Sequence, residues 1–177
     1  MTNIHPRFAG VVLHHPLVDR VRRNHGLEHA TLHILAKRNP RTSMAGHSDF
    51  GGFWILGDIS TEEMSSAVGE ALDRLRLGEY QLAVHPNCGT NLATAGLLAT
   101  LAGLAGMIGS GRRIRDKLER LPLAVSLATL ALVAARPLGL MLQAYVTTSG
   151  EPAGLEVVEI RTARRGPMRA HRVITRG

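Results

Sequence analysis

Two kinds of apolar pattern divide the chain. In its first half apolar residues recur in short stripes among charged ones. Residues 16–38 open on a proline and close on Asn39-Pro40, and carry Val18, Val21, Leu32 and Leu35 at helical spacing, which predicts a helix. Residues 53–56, after a Gly-rich turn, predict a short strand. Ser60-Thr61-Glu62-Glu63 has the form of a capping box, and Met64, Ala67, Val68, Ala71, Leu72 and Leu75 follow as one helical stripe that Gly78 ends. Residues 80–84 read as strand-like.

The second half changes character. Residues 92–109 hold no charge, and residues 121–146 are interrupted only by Arg136-Pro137 and Gln143. Small residues recur in the first run at Ala95, Ala99 and Gly103, and at Ala102, Gly106 and Ser110, spacings that let two helix backbones approach closely in lipid. Crossing the hydrocarbon core takes ~20 apolar residues. The pattern predicts a two-helix transmembrane or membrane-embedded hairpin whose arms are joined by GSGRRIRDKLER. Arg136 then marks a cavity within the bundle or snorkels to the surface. LEVVEIRTAR and MRAHRVIT, flanking Arg165-Gly166-Pro167, predict a terminal two-strand unit. The expected organisation is an α+β polar domain over residues 1–90, the apolar hairpin over 91–146, and a basic β-hairpin over 147–177 packing on the first part.

Composition narrows the partners. The chain of 177 residues is 45% hydrophobic but only 3% aromatic, with a net charge of +7. Residues 1–90 carry nine basic and nine acidic side chains, so the excess lies in residues 110–120, Arg136 and the C-terminal tail. Basic clusters flanking apolar runs fit a membrane surface, whereas base stacking and groove reading lack their usual side chains, so no nucleic-acid partner is expected. A single cysteine, Cys88, excludes an internal disulfide framework. The N-terminal segment MTNIHPRFAGVVLHHP shows no secretory pattern, which places the polar part on the cytoplasmic side of a bacterial inner membrane, with a homo-oligomer or a larger membrane complex as the expected assembly.

The candidate chemistry lies in two places. Within the first predicted helix, steps of three and four residues between Val21 and Leu32 land on His25, Glu28 and His29, so three ionisable groups share the packed face. Burying them is costly unless they are paired or bind a metal. Two histidines at i and i+4 can reach one zinc ion, and H-x-x-E-H is the inverted zinc motif in which the glutamate acts on the metal-bound water. His33 continues the row. The second place is His85-Pro86-Asn87-Cys88-Gly89-Thr90-Asn91, at the start of the first apolar helix, where the helix dipole favours a thiolate. Cys88 would complete a His, His, Cys set with a fourth position open to water; His85 competes as third ligand, and a polar helix cap is the alternative to a ligand loop.

HGLEHATLH followed by HPNCGTN and an apolar hairpin resembles an uncharacterised family of bacterial membrane proteins, known mainly from photosynthetic and related lineages. The motif alone is similar to that of S-ribosylhomocysteine lyase, where an H-x-x-E-H helix and a later cysteine bind the metal, and to inverted-motif metallopeptidases. This likeness implies His25, His29 and Cys88 as ligands of one zinc per chain and Glu28 as acid/base. It stops at those residues and implies no substrate.

Together these readings predict a membrane-embedded zinc enzyme, a hydrolase or peptidase. The alternative is a non-enzymatic membrane subunit in which the cluster holds a structural metal, a pigment or haem and the hairpin docks to a larger complex. Two long apolar runs predict partition with membranes that survives a high-salt wash and is released by detergent. Recovery of the washed protein as a soluble monomer would overturn this.

Overall fold

A computed structural model describes residue 13 and residues 15–165 and 168–177. The expected turn at Gly166-Pro167 and the N-terminal segment read for a secretory pattern, save Leu13, His15 and Pro16, lie outside the described residues. The elements are α1 (Pro16–Arg38), β1 (Ala45–Asp49), β2 (Gly52–Leu56), α2 (Thr61–Arg76), a 3-10 turn (Tyr80–Ala83), α3 (Gly89–Gly106), α4 (Ile114–Leu142) with a π-helical turn (Gln143–Thr147), β3 (Glu156–Arg165) and β4 (Met168–Arg176). They form two compact units. One comprises the chain up to residue 85 together with 144–177; the other comprises residues 86–143.

The first unit is α+β. Its four strands make one antiparallel sheet in the order β1-β2-β4-β3, so the C-terminal strands join the early hairpin through the β2–β4 pair, with Phe53 opposite Val173 and Trp54 opposite Arg172. Phe53, Ile55 and Val173 lie in a fully buried core with Leu27, Ala30 and Leu35 of α1 and Met64, Ala67 and Ala71 of α2. The helix ends follow local chemistry. α1 starts with Pro at N1 and stops at Asn39, before Pro40, while Ser60 caps α2 by accepting from the Glu63 amide at 3.1 Å.

Two local expectations change. Tyr80–Ala83 forms a 3-10 turn where a strand over residues 80–84 was expected, following Gly78 at φ +94°. The carbonyls of Ala83 and Val84, which a strand would give to a neighbour, instead accept from histidines of α1. The segment Ala45–Asp49, in which no strand was expected, is edge strand β1. Its sequence AGHSD has no β-branched residue, and pairing with β2 across the two-residue turn Phe50-Gly51 makes it a strand.

The second unit is a pair of packed helices. A Cβ on Gly106 would fall 2.6 Å from the Cα of Ala124, and one on Gly139 would fall 3.0 Å from the Cα of Asn91, so the two backbones approach closely at both ends of the pair. Large apolar side chains point outward: Leu97, Leu101 and Leu104 of α3 and Leu130 and Val133 of α4 are all more than half exposed. The expected hairpin of two spans is not what forms. Among the described residues one helical stretch, Ile114–Thr147, is long and apolar enough to cross a membrane. α3 has 18 residues, ~27 Å of helix against ~30 Å of hydrocarbon, and opens on Gly-Thr-Asn. Arg136 is exposed.

Within the first unit, α1 lies against the chain near Ser149: the Ser149 amide donates to the Arg22 carbonyl at 2.9 Å, and a Cβ on Gly26 would fall 2.0 Å from the Ser149 carbonyl oxygen. Gly26→Ala should therefore destabilise the protein by about 1–3 kcal/mol, because the clash is with backbone. Gly69→Ala on α2, where nothing lies within 4 Å, should not destabilise. Thermal unfolding of both variants in detergent checks this; an unchanged melting temperature for Gly26→Ala would refute it.

Candidate metal centre

Helix α1 is enclosed along its middle. Asn24, Gly26, Leu27, Glu28, His29, Ala30, Thr31, Leu32, Ile34 and Leu35 are all buried, so polar residues here cannot rely on water. Each has a partner. The Asn24 amide donates to the Asp49 carbonyl at 2.8 Å and accepts from the Thr175 hydroxyl at 2.7 Å, tying α1 to β1 and β4. Thr31 donates to the Leu27 carbonyl one turn back.

The histidines follow the same rule with a chemical consequence. His25 Nδ1 lies 3.0 Å from the Thr147 carbonyl oxygen and His29 Nδ1 lies 2.7 Å from that of Ala83. A carbonyl can only accept, so the neutral ring of each carries its proton on Nδ1 and its lone pair on Nε2. The two rings are 4.3 Å apart between centroids. Metal-binding imidazoles characteristically donate the N–H of one nitrogen to a carbonyl or carboxylate and ligate through the other. His33 is turned the other way, its Nε2 2.9 Å from the Val84 carbonyl. His85 lies beside both, 5.6 Å from the His29 ring and 4.7 Å from that of His33. Burial, with electrostatic repulsion from His33 and His29 as a lesser cause, pushes the His85 pKa down to about 4, so this imidazole is neutral at pH 7.

Glu28 points to β1. Its Oε2 accepts from the Ser48 hydroxyl, and its Oε1 sits where a Cβ on Gly46 would fall 2.1 Å away, so the glycine makes the room. Burial raises its pKa above the ordinary carboxylate value; the Ser48 bond and the charges of His25 and His47 oppose that rise.

Cys88 is buried at the N-cap of α3, and its sulfur accepts from the Thr90 amide at 3.4 Å. An amide donor at a helix N-terminus favours negative charge on sulfur. Three residues of chain, at most ~11 Å, separate Cys88 from His85. His25 and His29, one turn apart on a helix of the first unit, each offer one nitrogen to a metal ion; Cys88, at the start of the second unit, offers a sulfur.

The comparisons with known proteins agree on an uncharacterised family. A model for a domain of unknown function, DUF6391, matches residues 20–160. The chain belongs to that family. An uncharacterised protein of Picosynechococcus sp. is 36% identical over 151 residues, covering 80% of this chain and 71% of the relative. No solved structure matches. The DUF6391 match takes in His25, Glu28, His29, His33, His85 and Cys88 and ends within β3.

Sequence reasoning missed the groups that hold His25, His29 and Glu28. The Thr147 and Ala83 carbonyls have no sequence signal, and Ser48 and Gly46 lie in the strand that propensity does not predict. Asn24 was within reach, since 24, 28, 31 and 35 form one helical row. Imidazole 15N shifts of the metal-free protein at neutral pH should report the Nδ1–H tautomer for His25 and His29 and the Nε2–H tautomer for His33. An Nε2–H form of His29 would contradict the carbonyl contact.

Proposed function

We propose that this chain is a membrane-anchored zinc hydrolase of bacteria, with His25, His29 and Cys88 as the metal ligands and Glu28 as the acid/base group. One observation carries the reading: two imidazoles one helical turn apart, that of His29 buried and that of His25 half-buried, each fixed through Nδ1 to a backbone carbonyl. Two nitrogens and a sulfur suit zinc, and three protein ligands rather than four leave a position for substrate. Zinc supplies Lewis acidity that polarises a carbonyl or activates a water. Glu28, whose burial raises its proton affinity, takes up and returns a proton at Oε1 while Ser48 steadies Oε2. The apolar stretch Ile114–Thr147, largely exposed, supports anchoring in a bilayer.

A second reading, a non-enzymatic membrane subunit with a structural metal, is favoured by one observation. Glu28 is only 3% exposed and held by Ser48, the setting of a carboxylate that supports a site rather than one that meets substrate.

Protein purified in detergent without chelator should contain about one zinc per chain by elemental analysis. His25→Ala and His29→Ala should abolish it, Cys88→Ala should weaken it, and His85→Ala should leave it. Glu28→Gln separates the two readings by chelator competition. Zinc affinity within about twofold of wild type supports the hydrolase, and a loss of ~10 to 100-fold supports the structural site. Metal-free wild-type protein would overturn both.

A further inference from the structure

Within the first unit, a cavity of about 520 Å³ lies at the C-terminal end of α1, in the size range of small-molecule sites. Its polar lining is His33, Lys37 and Arg38 of α1 and Glu70 and Arg74 of α2; Ile34 and Leu82 supply an apolar floor. Three permanent cations thus face one carboxylate. Glu70 is held by Arg38 at 2.5 Å and by Arg74 at 3.5 Å, and Arg74 is also held by Glu79 through two hydrogen bonds of 2.6 and 3.0 Å. These pairs fix the two guanidinium groups in place. Lys37 is exposed and forms no ion pair among the described residues, so its charge is the uncompensated one.

Lysine and arginine at the last turns of α1 and α2 also answer the negative ends of the helix dipoles. That accounts for each cation separately but not for their convergence on one cavity with an apolar floor. His33 links this cavity to the ligand row: its ring is 4.7 Å from His85, whose ring is 5.6 Å from His29. Along α1, Lys37 is two turns, ~12 Å, beyond His29.

We propose that this cavity binds the anionic end of the substrate, a carboxylate or phosphate on a short apolar body, and so restricts the hydrolase to small acidic substrates. The assignment of a substrate rests on the hydrolase reading; the anion site itself does not require the metal. Lys37 supplies the uncompensated charge, Arg38 and Arg74 supply fixed N–H donors, and Ile34 and Leu82 contact the apolar body.

The test titrates the full chain in detergent, zinc-loaded and after chelator treatment, with inorganic phosphate and separately with succinate at constant ionic strength. The readout is the imidazole NMR signals of His33. The expected result is saturable binding of at least one of the two anions, in both metal states, weakened about tenfold by Lys37→Gln and restored to within a few-fold by Lys37→Arg. Saturation by phosphate alone identifies a phosphate substrate, and saturation by succinate alone a carboxylate. Absence of saturation by either anion, or equal binding by wild type and Lys37→Gln, overturns the proposal. The zinc content of the same samples tests the hydrolase independently, so a chain that binds anion without zinc sinks only that reading, and one that binds zinc without anion sinks only this one.

Discussion

A helix enclosed by protein must find a partner for every polar side chain it carries, and α1 carries them at Asn24, Glu28, His29 and Thr31, with His25 and His33 at the margins of the buried stretch. Each such group left without a hydrogen bond would cost about 1–3 kcal/mol, a large share of the stability of a domain this size. The surroundings of α1 are arranged accordingly. β1 brings Ser48 and the Asp49 carbonyl, β4 brings Thr175, the 3-10 turn brings the carbonyls of Ala83 and Val84, and the segment after α4 brings that of Thr147.

The same hydrogen bonds that stabilise the helix set its chemistry. A carbonyl on Nδ1 determines which nitrogen of His25 and His29 holds the lone pair, and it stops each ring from turning. Two glycines allow the close packing this needs. Gly26 lets the backbone at Ser149 approach α1, and Gly46 leaves space for the Glu28 carboxylate. A site built this way sits on a rigid element whose side chains are held from behind, the condition for a reproducible geometry.

The second unit obeys a different rule. α3 and α4 bury mainly small residues against each other, with Gly106, Ala124, Ala135 and Gly139 among the buried positions, while leucines and valines face outward. Water would oppose that distribution, and lipid or another apolar surface would favour it. Charge is concentrated in the turn and first turns of α4, where Arg112, Arg113, Arg115, Lys117 and Arg120 gather, and in the apolar residues 121–146 that follow, Arg136 is the one charged side chain.

What could be read from the sequence was local. The start of α1 at Pro16 and its end before Pro40, the Ser60 cap of α2, and the placement of His25, Glu28 and His29 on one helical face depend on residues within a turn or two of each other. The two C-terminal strands were legible for the same reason, since each carries enough β-branched residues to declare itself. The family resemblance rested on two short motifs and led to an uncharacterised family. Only the tertiary structure decided the rest. β1 is a strand because β2 pairs with it, and residues 80–83 are not a strand because α1 uses the carbonyls at their end. The tautomers of His25 and His29 depend on carbonyls 122 and 54 positions away. Periodicity and capping report what a segment prefers; the partner of a buried polar atom is set by which distant backbone the fold brings against it.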